Sequence, residues 1–107
     1  MEQYTVVLST AGGNWKPDTP AFNEVMKRHV AFMKPVLEGG KVAVAGPFPF
    51  SDPAELKAVS IYRISVADTT KLIGDDPLVK ANIVKPELHP WMTAKGVLAP
   101  GQPLQMQ

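Results

Sequence analysis

KRHVAFMKPVLEGGKVAVAGP, residues 27–47, passes from a charged helical face, through a histidine among apolar residues, to a glycine pair and a small-residue strand. Upstream and through it, apolar residues recur at Phe22, Val25, Met26, Met33, Val36 and Leu37, the spacing of one buried stripe on an α-helix. Thr19 fits an N-cap, and Pro20 fits the first helical position, where a missing N–H costs nothing. The helix is expected to run to about Glu38. Pro35 within it removes a backbone hydrogen bond and crowds the carbonyl of Ala31, so a kink or an altered last turn is expected before Gly39-Gly40 end it. Lys41 to Ala45 then reads as a short strand that Gly46-Pro47 turns aside, and Ala43 and Ala45 leave one of its faces open to a close helix or ligand.

Working outward, Tyr4 to Thr10 (YTVVLST) is β-branched and aromatic and stops at the turn cluster Ala11-Gly12-Gly13-Asn14, so it reads as a first strand. Beyond the Pro-rich loop Phe48 to Glu55, Lys57 to Val66 alternates as a third strand, and Asp68 is placed to cap a short helix through Ile73. Asp75-Asp76-Pro77 is a second carboxylate-before-proline helix start, with Asn82 available to end that turn. In Ile83 to Met92, Val84, Leu88 and Met92 fall on one side and Lys85, Glu87 and His89 on the other, and its prolines mark an edge or bulged strand. The order is β-α-β, β-α-β: an α+β, ferredoxin-like pattern with an antiparallel sheet and helices on one face. Residues 1–93 form the domain, and 94–107, with three Gln and several Gly or Pro, read as an arm or disordered tail.

A chain of 107 residues, 45% of them apolar, suits one domain with a modest core. Eleven Lys and Arg against ten Asp and Glu give a net charge of +1, which argues against nucleic acid or an anionic membrane as a partner. With no cysteine, disulfides, thiolate metal sites and cysteine nucleophiles are excluded. The apolar runs are too short to span a bilayer, and Met1-Glu2-Gln3-Tyr4 lacks the features of a signal peptide, so the expected location is the cytoplasm. A single four-stranded sheet covered on one side leaves its other face bare, which predicts a homodimer with Val42, Val44, Val59 and Ile61 as candidates for the shared face.

His29 lies on the apolar stripe, seven residues after Phe22. Burying an unpaired polar group costs about 1–3 kcal/mol, so its ring nitrogens need partners. Two accounts stand: a core imidazole bonded to a backbone carbonyl, or a side chain that a pocket uses. The helix with its histidine, LEGGKVAVAGP (37–47), DDP (75–77) before LVKANI, and HPW (89–91) together make residues 28–91 similar to the YCII-related (YciI-like) family. The resemblance implies a dimeric α+β barrel, in which two ferredoxin-like chains face their sheets together and enclose a cleft. It also implies a small cytoplasmic protein with a His-Asp pair, some relatives being dehydrochlorinases of chlorinated hydroxylated aromatics. His29 matches the family histidine and Asp76 the aspartate of the DP turn. Glu38 stands where relatives have an acid, here Glu rather than Asp, and Asn82 replaces a more usual glycine.

A carboxylate on one imidazole nitrogen fixes the tautomer and supports the charged form, so His29 and Asp76 would be an acid/base unit. Asp76 is equally an N-cap, and the two roles can use different oxygens. Glu38 reads first as a solvated residue, although its charge opposes the helix dipole, and it is carried with Trp91 as a ligand-binding candidate. Trp15, Phe48, Phe50, Tyr62 and Trp91 are core aromatics or the walls of a pocket for a flat molecule. No serine lies in a nucleophile elbow, including Ser9, Ser51, Ser60 and Ser65. His29, His89, Glu38 and Asp76 lack metal-ligand spacing, and no glycine pattern makes a phosphate loop. Three functions stay open: a cofactor-free enzyme moving protons on a small carbonyl or hydroxylated aromatic compound, by isomerisation or elimination; a non-catalytic small-molecule-binding or regulatory module; and a cofactor-free oxygenase.

Overall fold

The computed structural model describes residues 1–49 and 54–98; Phe50, Ser51 and the tail from residue 99 lie outside the described residues. The elements are β1 (Glu2–Ala11), α1 (Pro20–Glu38), β2 (Val42–Pro47), β3 (Leu56–Tyr62), α2 (Val66–Ile73), α3 (Pro77–Lys80) and β4 (Val84–Thr93). The sheet order is β2-β3-β1-β4, with antiparallel neighbours throughout. This is the expected ferredoxin-like α+β fold, and β4, with its prolines, is an edge strand.

Helix α1 begins as its sequence dictates: the Thr19 hydroxyl accepts from the Phe22 N–H and Pro20 opens the first turn. It continues through Pro35, whose carbonyl accepts from the Gly39 N–H at 2.9 Å, so the last turn keeps its α-helical bond. Gly40 follows at φ 75°, a left-handed conformation that favours glycine and turns the chain into β2.

Two expected boundaries move. Strand β3 ends at Tyr62 rather than Val66, and Ser65, not Asp68, caps α2 by accepting from the Asp68 N–H. Ser-x-x-Asp competes with strand continuation here, because its hydroxyl satisfies a helix N–H locally. Val42 also departs from expectation. It is buried in the helix-side core with Val7, Met33, Val36, Tyr62 and Ile73, whereas Val44 is exposed. A register shift between Val42 and Val44 is the cause, since one added residue reverses which face the following side chains take. Val44, Val59 and Ile61 therefore fall on the uncovered face of the sheet with Val6 and Leu8, their cross-strand neighbours.

The helix side holds two clusters: the one around Val7 and Tyr62, and a second of Phe22, Val25, Leu78, Ile83 and Val84. The second is tied to the end of β1. Gly12 N–H donates to the Ile83 carbonyl at 2.8 Å, Asn14 N–H to the Asn82 carbonyl at 3.0 Å, and the Asn14 side-chain amide to the Ala81 carbonyl at 2.8 Å. Asn82 ends the α3 turn at φ 55°, as its position suggested, and a Cβ on Gly12 would meet its carbonyl oxygen at 2.3 Å. That latch holds α3 against the sheet, and α3 carries Asp76 at its cap.

Candidate functional site

Between α1, α3 and the helix-facing side of the sheet is a pocket of about 260 Å³. Both core clusters contribute to its wall, Met33 and Tyr62 from one and Leu78 and Val84 from the other. The wall is mostly apolar, with His29, Asp76, Tyr62, Ser60, Ser9 and Lys57 as its polar side chains. It lies within one chain, on the side of the sheet opposite the inter-sheet cleft that the family resemblance implies.

His29 projects from the apolar stripe of α1 because it continues the line of Phe22, Val25, Met33 and Val36. Its Nδ1 lies 2.8 Å from Oδ1 and 2.9 Å from Oδ2 of Asp76. A carboxylate accepts only, so Nδ1 carries the hydrogen and Nε2 is the nitrogen left for chemistry. Asp76 is 7% exposed, and its Oδ1 also accepts from the Leu78 N–H at 2.9 Å, which makes it the N-cap of α3. Cap and partner roles coexist as expected, yet they share Oδ1 rather than dividing the oxygens. The His29 side chain keeps 25% of its surface and that of Asp76 10%, so the imidazole is partly exposed and the carboxylate nearly covered.

Tyr62 is buried on the same face of β3 as Ser60, two residues away. Burial pushes its phenol above the usual range of 10.0, a hydrogen bond with Ser60 opposes the rise, and the Asp76 charge adds to it. Because ionisation is harder in the folded chain, the stability due to this group is complete below the unfolded phenol's pKa of about 10 and is lost as pH climbs through the higher folded value. Chemical unfolding on the alkaline side of about pH 10 is therefore expected to show falling stability, less steeply in Tyr62→Phe. An unchanged alkaline decline in that variant would remove Tyr62 as a cause.

Glu38 is exposed at the end of α1 and does not line the pocket. Trp91 is on the uncovered face of the sheet, with its ring 6.2 Å from that of Tyr4. Neither ligand-binding candidate thus joins His29 and Asp76: helical phase turns Glu38 to solvent, and strand alternation turns Trp91 away. His89 pairs with Glu87 at 2.9 Å on the exposed surface of β4, and among the described residues no group of three or more His, Asp or Glu is placed to hold a metal ion. Of the aromatics, Trp15 and Tyr62 line the pocket, Phe48 and Trp91 do not, and Phe50 is outside the described residues. Lys57 and the hydroxyls of Ser60 and Ser9 escaped the sequence reading as pocket residues; strand alternation from Tyr62 to Ser60 was the available signal for one of them.

No family model matches the chain, and no curated protein matches it. Among solved structures it is similar to the 5-chloro-2-hydroxyhydroquinone dehydrochlorinase TftG from Burkholderia phenoliruptrix AC1100 in complex with 2,5-dihydroxybenzoquinone. The TM-score is 0.64 at 17% identity, covering 86% of this chain and 96% of that one. It also matches protein Atu4242 from Agrobacterium tumefaciens with a TM-score of 0.47 at 15% identity, over 87% of this chain and 95% of that one. At these identities the likeness to the dehydrochlorinase is one of fold. No helix among the described residues is long and apolar enough to cross a membrane.

Proposed function

We propose that the chain is a cofactor-free acid/base enzyme of the YCII-related family that moves a proton on a small carbonyl or hydroxylated aromatic compound, leading to isomerisation or elimination. The observation that carries this reading is the contact of His29 Nδ1 with both oxygens of the buried Asp76, at the wall of an apolar pocket. Nε2 acts as the base, and Asp76 stabilises the imidazolium that forms. The hydroxyls of Tyr62 and Ser60 stand in the same pocket as donors for oxygen charge that develops on the substrate. For an elimination, His29 takes a proton, the electron pair of the broken bond forms a new double bond, and the leaving group departs as an anion. The fold shared with a dehydrochlorinase supports that outcome. Val6, Leu8, Val44, Val59 and Ile61 on the uncovered sheet face support a homodimer as the working form.

Proton NMR of the chain with hydroxylated aromatics and small carbonyl compounds in deuterated water tests the reading, with chloride release followed for chlorinated hydroxyhydroquinones. Exchange or elimination that proceeds equally with and without oxygen is expected. Binding without turnover would make the chain a binding module, and turnover only with oxygen would make it an oxygenase.

A further inference from the structure

On its helix-facing side the sheet carries large side chains where it meets the core and small ones where it meets the pocket. Thr5, Tyr62 and Val42 form one cross-strand row, in which Tyr62 and Val42 are buried with Met33, Val36 and Ile73. The next row along β3 is Val7, Ser60 and Ala45, and the one after it Ser9, Ala58 and Pro47. These two rows lie about 7 Å apart, two residues of extended strand, and all of their side chains line the pocket. On β2 and β3 they hold nothing larger than a proline. Opposite them α1 presents Met26, His29 and Met33 to the same pocket. Beyond Ala58 the floor ends at a bulge: Lys57 is the residue by which β3 exceeds β1, and its ammonium packs 5.1 Å from the centre of the Trp15 ring. The pocket is therefore a slot between a helix and a low floor, running along β3 with Trp15 at one end. An apolar cavity of about 150 Å³ takes up one benzene ring. In this pocket of about 260 Å³ a single ring would leave roughly two fifths of the space empty, and atoms facing a void forgo their dispersion contacts.

We infer that the pocket selects hydroxylated compounds of two fused rings over single-ring ones, with Ala58 and Ala45 as the residues that admit the second ring. This rests on the pocket being the small-molecule site of the reading above but needs no turnover. One ring covers one row of the floor, a second ring fused to it reaches across the other, and the hydroxyls of Ser9, Ser60 and Tyr62 line the slot as partners for the ligand's oxygen. Isothermal titration of the full chain with phenol and with 2-naphthol, at a neutral pH where both are uncharged, tests it. The wild-type chain should favour 2-naphthol by about tenfold or more, from the added apolar area it buries. Ala58→Val, a residue that suits a strand, should remove most of that preference by weakening 2-naphthol alone, because phenol still fits over the remaining row. If circular dichroism shows Ala58→Val unfolded, Ala45→Val is read in its place. Equal wild-type affinities, a preference that survives in the valine variant, or a loss shared equally by phenol overturns the inference while leaving the pocket a binding site. Binding of neither compound overturns the inference and the small-molecule reading together. A chain that selects two rings through Ala58 yet transforms no hydroxylated compound upholds the inference and refutes only the acid/base reading.

Discussion

Replacing His29 with Asn is expected to lower turnover by about 10²- to 10⁴-fold, the usual contribution of a positioned acid/base group, with little change in folding. The reason lies in which nitrogen each side chain can supply. An asparagine amide nitrogen falls near the place of Nδ1 and can go on donating to Asp76, so the buried carboxylate keeps a partner. Nothing in asparagine stands where Nε2 does. If His29 were only a core imidazole, the opposite pattern would follow: a stability loss of about 1–3 kcal/mol from a disturbed buried group, with activity per folded molecule preserved. Urea unfolding and single-turnover rates on the same samples separate the two.

Asp76 allows a finer division, because one carboxylate performs two jobs. In Asp76→Asn, the amide oxygen can still cap α3 by accepting from the Leu78 N–H. That same oxygen lies within reach of His29 Nδ1 and can go on accepting from it, but the amide is neutral, so the charge that supports an imidazolium is gone. The base is thereby weakened without loss of the cap, and turnover is expected to fall by about 10²- to 10⁴-fold at nearly unchanged stability. Asp76→Ala removes the cap as well and should cost about 0.5–2 kcal/mol for that reason alone. Equal stability in the Asn and Ala variants would show that the cap contributes nothing, and full activity in the Asn variant would show that the imidazole does not depend on Asp76.

The parts of this fold that are legible in the sequence are those with local causes. Thr19-Pro20 and Asp76-Pro77 announce helix starts because capping and a fixed φ operate within a few residues. The family resemblance pairs His29 with Asp76, and their contact follows from α3 being latched to the end of β1. The features that stayed hidden depend on partners distant in sequence. Neither the bulge that turns Lys57 into the pocket nor the shift that buries Val42 has a local signature, since each is a mismatch of register between two strands. Trp91 reads as a pocket wall because it is one of few aromatics able to frame a flat molecule, but alternation along β4 sends it to the face that carries no helix. The side of the sheet that holds the pocket was set by the packing of α1 and α3, which no single stretch encodes.

The most direct test of the His29–Asp76 unit is the nitrogen-15 spectrum of the two histidine rings, at a pH where both are neutral, before and after addition of a hydroxylated aromatic compound. His89→Gln identifies the signals of His29. The geometry predicts a hydrogen on Nδ1, an unprotonated Nε2, and movement of the Nε2 resonance when the compound binds. A hydrogen on Nε2, or His29 signals that stay in place while the compound is bound, would contradict a catalytic pair in this pocket.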